Sequence, residues 1–161
     1  MGLEASRPDK ELRTGPDVLW LTPDGSSGAL LEAKTKKLPT TQYQKDEIGQ
    51  MHDHVAWAKA TFPKITFVEA IVGRPLAVSK DSNPSPRLCV IDLAEFQRRS
   101  ERAREFFDLL CVSAPSGAAR DSEAEAGLRS LGLKWPVCLD SLTSILAVDL
   151  KREPPSDREV G

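Results

Sequence analysis

Cysteine is scarce in this 161-residue chain, with three in all. Cys89, Cys111 and Cys138 are far apart, each has apolar neighbours, and no C-x-x-C pair occurs. That spacing excludes a zinc ribbon and reads as buried free thiols in a reducing compartment. Charge of one sign is also lacking: 22 basic against 24 acidic side chains leave a net charge of −2. No global field draws the chain to nucleic acid or to an anionic membrane, so any nucleic-acid contact needs a local basic patch. Apolar runs fall far short of the ~20 residues that span a bilayer, and the N-terminus lacks the apolar stretch of a signal peptide. No internal repeat is visible. The expectation is a cytoplasmic protein without a membrane partner. What remains, 40% hydrophobic and 29% charged residues, is the composition of one globular domain.

Residues 1–15 are polar and read mostly as loop. The run Val18-Leu19-Trp20-Leu21 suits a short strand. Dense turn chemistry follows at residues 22–28, including Asp24-Gly25, a strong hairpin signal. Ala29 to Lys36 reads as a second strand, buried at its start and polar on one face at its end. Ile48, Met51, Val55, Ala58 and Phe62 recur at helical spacing and predict a helix over residues 42–61, ended by Pro63. Ile65 to Val72 and Leu88 to Ile91 read as strands, and Asp92 as a cap for a helix over 93–111. Phe96, Ala103, Phe107 and Leu110 are its expected buried stripe. Residues 112–127 turn small and polar, the composition of a connector or frayed helix start. Val137 to Leu150 is compatible with a helix capped by Asp140 or Ser141. The tail from Lys151 is expected to be disordered. The order β-β-α-β-β-α-α argues for an α/β or α+β domain around a mixed sheet.

The hairpin brings charges together. A tight turn at Asp24-Gly25 sets Asp17 opposite Glu32, and a longer loop over 23–28 sets Asp17 opposite Lys34. Both registers place Asp17, Glu32 and Lys34 on one face, because strand residues i and i+2 share a face. Two carboxylates and the Ala33 carbonyl are hard oxygen donors suited to Mg²⁺ or Mn²⁺. A divalent ion there would offset charge that builds on a phosphate in a displacement reaction. Lys34 would orient or deprotonate the attacking water, or stabilise the developing charge. The plainer alternative makes Glu32 and Lys34 a solvent-facing strand pair. An acidic-x-Lys triplet alone says little, as Asp149-Leu150-Lys151 illustrates. The Pro16-Asp17 start, the Asp-Gly turn and the Glu32-x-Lys34 triplet together are much rarer.

With these elements in place, the chain resembles the PD-(D/E)XK nuclease superfamily. The resemblance rests on Gly15-Pro16-Asp17-Val18-Leu19-Trp20-Leu21, on Leu31-Glu32-Ala33-Lys34 and on the helix from Tyr43 to Lys59. It covers residues 15–75 well and the rest weakly. It implies a restriction-endonuclease-like mixed sheet flanked by helices, with Asp17, Glu32 and Ala33 as metal ligands and Lys34 as the catalytic base or stabiliser. It further implies that the second helix lends a polar residue. Gln50-Met51-His52-Asp53-His54 resembles the family's Q-x-x-x-Y pattern, with His54 in the place of Tyr. Gln50, His54 and Trp57 share a stripe distinct from the Met51/Val55 core stripe. Gln50 is therefore expected to assist catalysis, and His54 to contact nucleic acid. Family members open with a helix and a strand before the Asp strand, which residues 1–15 leave little room for.

The resulting expectation is an N-terminal loop over 1–14, a nuclease-like core over 15–111 and a connector over 112–127. A helical extension over 128–150 and a disordered tail over 151–161 follow. The implied activity is Mg²⁺-dependent hydrolysis of DNA, in a restriction, repair or helicase-associated module of a larger polypeptide or complex. The alternative is a catalytically silent nuclease-fold domain that binds nucleic acid or scaffolds an assembly. Lys36 and Lys37, with Lys34 and Lys45, cluster where a phosphate backbone would approach, and are read as the DNA contacts. The arginines at 98, 99, 102 and 104 are matched by nearby glutamates and read as a solvated face.

Overall fold

The computed structural model describes residues 3–113, 117–135, 137–140, 142 and 145–152. A mixed five-stranded sheet forms its centre, flanked by helices on both faces. The strands are β1 (Glu4–Ser6), β2 (Val18–Leu21), β3 (Ser27–Lys34), β4 (Thr66–Gly73) and β6 (Leu88–Asp92), ordered β1-β2-β3-β4-β6. A two-stranded pair, β5 (Val78–Ser79) with β7 (Lys151–Arg152), stands apart. The helices are α1 (Pro8–Glu11), α2 (Lys45–Thr61), α3 (Leu93–Ser113), α4 (Ala118–Ser130) and the single turn α5 (Val137–Asp140).

The β2–β3 hairpin adopts the register of the tight-turn alternative, with Val18 opposite Leu31 and Leu21 opposite Gly28. Its loop is nevertheless Pro23–Ser26, closed by the Thr22 N–H donating to the Ser27 carbonyl at 2.9 Å. Asp24 shapes that loop by accepting from the Thr22 hydroxyl and from both N and Oγ of Ser26. These bonds hold its carboxyl below the usual carboxylate range.

β3, α2 and β4 form a parallel crossover unit. A capping box between Gln44 and Glu47 starts α2. Ile48, Met51 and Ala58 press its inner stripe onto Leu30, Ile71 and Val90. On the opposite face, Leu93 and Phe96 of α3 cover Leu31, Val72 and Ile91. Asp92 accepts from the Ala94 N–H at 3.1 Å, at the start of α3.

Several expectations change. Residues 1–15 are more than loop: β1 pairs antiparallel with β2, and Pro8 opens α1 with Asp9 and Glu11 in its first turn. In α3, Phe107 is exposed and Phe106 half-buried, because Phe106 packs over Gly127 of α4. The stretch expected as a connector contains most of α4, whose Ala, Glu and Arg content favours helix. Residues 114–116 of that stretch lie outside the described residues.

No continuous helix spans 137–150. The Ile145 carbonyl accepts from the Val90 N–H at 2.9 Å, and Leu146 bridges to Cys89. The open edge of β6 thus competes for this backbone. Among the described residues of this stretch, only Val137–Asp140 and a 3-10 turn over Ala147–Leu150 are helical. Ser141 and residues 153–161 lie outside the described residues, whereas Lys151 and Arg152 form β7. Cys89 is buried as expected, but Cys111 is exposed and Cys138 half-buried.

Candidate functional site

The site begins with one glycine. Gly15 adopts φ +86°, and a Cβ there would lie 3.0 Å from Pro8 Cβ and 3.0 Å from two ring carbons of Trp57. Only glycine combines that left-handed turn with so close an approach. The loop is thereby pinned between α1 and α2, and the Asp9 N–H donates to the Pro16 carbonyl at 3.3 Å. Asp17 follows at the start of β2. Because β2 runs antiparallel to β3, its start lies beside the end of β3, where Glu32 and Lys34 sit.

Asp17 Oδ2 accepts from the Ala33 N–H at 2.8 Å. Continued by one pair, the register sets Pro16 opposite Ala33, and proline has no N–H to donate to the Ala33 carbonyl. The Asp17 carboxylate accepts the Ala33 N–H in place of the Pro16 carbonyl, which takes the Asp9 N–H instead. The Ala33 carbonyl, whose strand donor would be the absent proline N–H, faces the same edge.

Glu32 is 3% exposed. Its Oε1 accepts from Lys34 Nζ at 2.8 Å, and its Oε2 contacts His54 Nε2 at 3.1 Å. Burial pushes the Glu32 carboxyl up, but hydrogen bonds from His54 and Lys34, with their charges, outweigh it. The net result lies below the usual carboxylate range. An ionised carboxylate only accepts, so His54 carries a proton on Nε2. Lys34 Nζ also donates to Gln50 Oε1 at 2.8 Å, which fixes the amide's orientation, since an ammonium only donates. Residues from β3 and one flank of α2 therefore close a chain from Gln50 through Lys34 and Glu32 to His54.

Of the residues singled out in the sequence, Glu32, Lys34, Gln50 and His54 are joined by direct contacts, and Asp17 binds the backbone of Ala33 between Glu32 and Lys34. His54 sits between the carboxylate and the groove. It is buried and spends Nε2 on Glu32. Lys37 is partly spent as well, paired with Glu47 at 2.6 Å and lying over the Tyr43 ring at 5.8 Å. Lys36 is exposed.

Two further residues belong to this region. Asp9 and Arg13 line a groove of ≈ 320 Å³ together with Gln50, Asp53, His54 and Trp57. Asp9 Oδ2 pairs with Arg7 and Lys10, while its Oδ1 is buried without a partner among the described residues. The Arg7-Pro8-Asp9 run carried the available signal: proline at the first helical position with an acid in the first turn.

Among the described residues, no group of three or more His, Cys, Asp or Glu side chains could by itself hold a metal ion. The site offers two carboxylates and a carbonyl, a smaller set of oxygen donors. Mg²⁺ suits such a set, because it keeps several of its waters and takes one or two carboxylates. No protein family, curated protein or solved structure matches the chain. Among the described residues, no helix is long and apolar enough to cross a membrane.

Proposed function

We propose that this chain is a metal-dependent phosphodiesterase acting on DNA, built on a restriction-endonuclease-like version of the α/β fold. The reading rests on one observation above all: Lys34 Nζ is held at 2.8 Å from both Glu32 and Gln50, beside Asp17 on the Ala33 N–H at 2.8 Å. Asp17, Glu32 and the Ala33 carbonyl would hold Mg²⁺ or Mn²⁺, which supplies Lewis-acid stabilisation of charge on a phosphate oxygen.

The chain's own groups do the rest. Lys34 donates one N–H to Glu32 and one to Gln50, and a further N–H of its ammonium remains for a phosphate oxygen. That favours charge stabilisation over proton abstraction as its role. Gln50 fixes the direction of the ammonium. His54 holds Glu32 ionised and aimed. Lys36, exposed after the Glu32-Ala33-Lys34 strand, would meet the backbone of DNA. A role within a restriction, repair or helicase-associated assembly follows the same reading.

Lys34→Ala tests it. Cleavage of plasmid DNA in Mn²⁺ should fall by about 10²-fold or more while the thermal transition is retained; undiminished cleavage would sink the mechanism. A second reading, a silent nuclease-fold domain that binds nucleic acid or scaffolds, draws on the engagement of both Glu32 oxygens. DNA binding by the wild type without cleavage in Mg²⁺ or Mn²⁺ would favour it.

A further inference from the structure

A second carboxylate lies under α2, on the flank away from Glu32. Glu69 of β4 is 6% exposed. Its register neighbours are Leu30 on β3 and Leu88 on β6, both fully buried. The position lies in the sheet face that α2 covers, where a leucine would serve folding better. Among the described residues, Glu69 has no hydrogen bond or ion pair. Its carboxylate is not among the buried unpartnered atoms, so the oxygens of an otherwise buried residue open into a groove, where an incoming cation can reach them.

Glu69 opens into a groove of ≈ 330 Å³ lined by His52, Val55, Ala56, Lys59 and Ser85. His52, Val55, Ala56 and Lys59 fall at i, i+3, i+4 and i+7, the flank of α2 opposite Gln50, His54 and Trp57. The groove therefore has a carboxylate at its base, apolar walls from Val55 and Ala56, an exposed imidazole at His52 and a hydroxyl at Ser85. Ser85 Oγ already accepts from the Arg87 N–H at 3.2 Å and keeps a lone pair for another donor.

We propose that this groove binds a guanidinium group, with Glu69 as its counter-ion. A carboxylate at the end of a slot takes a guanidinium through two parallel N–H bonds. The planar, weakly hydrated cation loses less on burial than an ammonium and can stack on His52. The aliphatic stem of an arginine would lie along Val55 and Ala56. Lys59 is exposed and makes no ion pair with Glu69; its head stays in water while its stem extends the wall. The site is independent of the phosphodiesterase reading, because none of its residues belongs to the Asp17/Glu32/Lys34 cluster.

The test is an amide-resolved NMR titration of the full chain with Nα-acetyl-arginine amide, its lysine counterpart and a short arginine-containing peptide. Saturable shifts at Val55, Ala56 and Ser85 are expected with the arginine compounds, with a Kd of about 1 mM, and weaker ones with lysine. Tighter binding of the peptide identifies a partner's arginine as the source, and equal binding a small guanidinium metabolite. Glu69→Gln should weaken binding about tenfold while raising the thermal midpoint, which separates lost recognition from lost folding. Absent or unsaturable shifts, or equal binding by Glu69→Gln, would overturn the proposal. So would binding that appears only in Lys59→Met, because Lys59 would then be the partner of Glu69.

Discussion

Glu32 and Glu69 make a natural experiment within one sheet. They stand on adjacent parallel strands, face the same helix and are nearly equally buried, at 3% and 6% exposure. Glu32 has both oxygens occupied, by Lys34 and His54. Glu69 has neither occupied among the described residues. The difference follows from what reaches each: Lys34 of the same strand and His54 of α2 bond Glu32, whereas His52 and Lys59 on the other flank of α2 make no bond to Glu69. Burial alone therefore does not set a carboxylate's surroundings; the polar groups brought within reach of it do.

The contrast predicts opposite signs for similar substitutions. Glu32→Ala strands His54 and Lys34 without their counter-ion. It should cost about 2–3 kcal/mol, below the full range for breaking a buried pair because Lys34 still reaches water. Glu69→Met removes an unpaired charge from between two leucines and should stabilise by about 1 kcal/mol. Urea unfolding of both variants measures this, and equal signs would erase the distinction. Gly15→Ala comes next, at about 2 kcal/mol, since it combines left-handed backbone with contact against Trp57. It should also loosen Asp17 without touching Glu69, so arginine binding survives while any metal-dependent cleavage falls.

Acid titration sharpens the comparison further. The folded-state carboxyl of Glu32 lies below its ordinary value of 4.5. Its contribution to stability is thus fully present above pH 4.5 and is lost as pH falls through the folded value. The difference in unfolding free energy between wild type and Glu32→Gln should be constant above that pH and shrink below it. A difference that grows on acidification would mean that Lys34 and His54 do not hold Glu32 ionised.

The hairpin was the most legible part of the sequence, since alternation on two short strands fixes a shared face whatever the loop length. Gln50 and His54 were legible as a stripe, because helical spacing separates them from Met51 and Ala58. Asp9 was lost because a four-residue helix, Pro8–Glu11, has too little periodicity to register. Glu69 was lost for the opposite reason: inside an apolar run it reads as one polar break in a strand. The end of the chain misled because Ile145 and Leu146 join a sheet edge, a non-local choice that no local pattern encodes.

The same contrast between spent and free groups extends to the smallest effect, at two adjacent lysines. Lys37 pairs with Glu47 at 2.6 Å and covers the Tyr43 ring, so its charge is largely committed within the fold. Lys36 is exposed and, among the described residues, has no ion pair. Lys37→Ala should lower stability by about 0.5–1 kcal/mol and leave DNA affinity nearly unchanged. Lys36→Ala should leave stability unchanged and, on the proposed DNA-binding reading, weaken duplex binding a few-fold at low salt. The slope of log affinity against log salt should become shallower by about 0.9, the loss of one phosphate contact. If instead Lys37→Ala flattens the salt slope, its pairing with Glu47 opens when DNA arrives. Lys37 would then be the backbone contact, and Glu47 a gate on it.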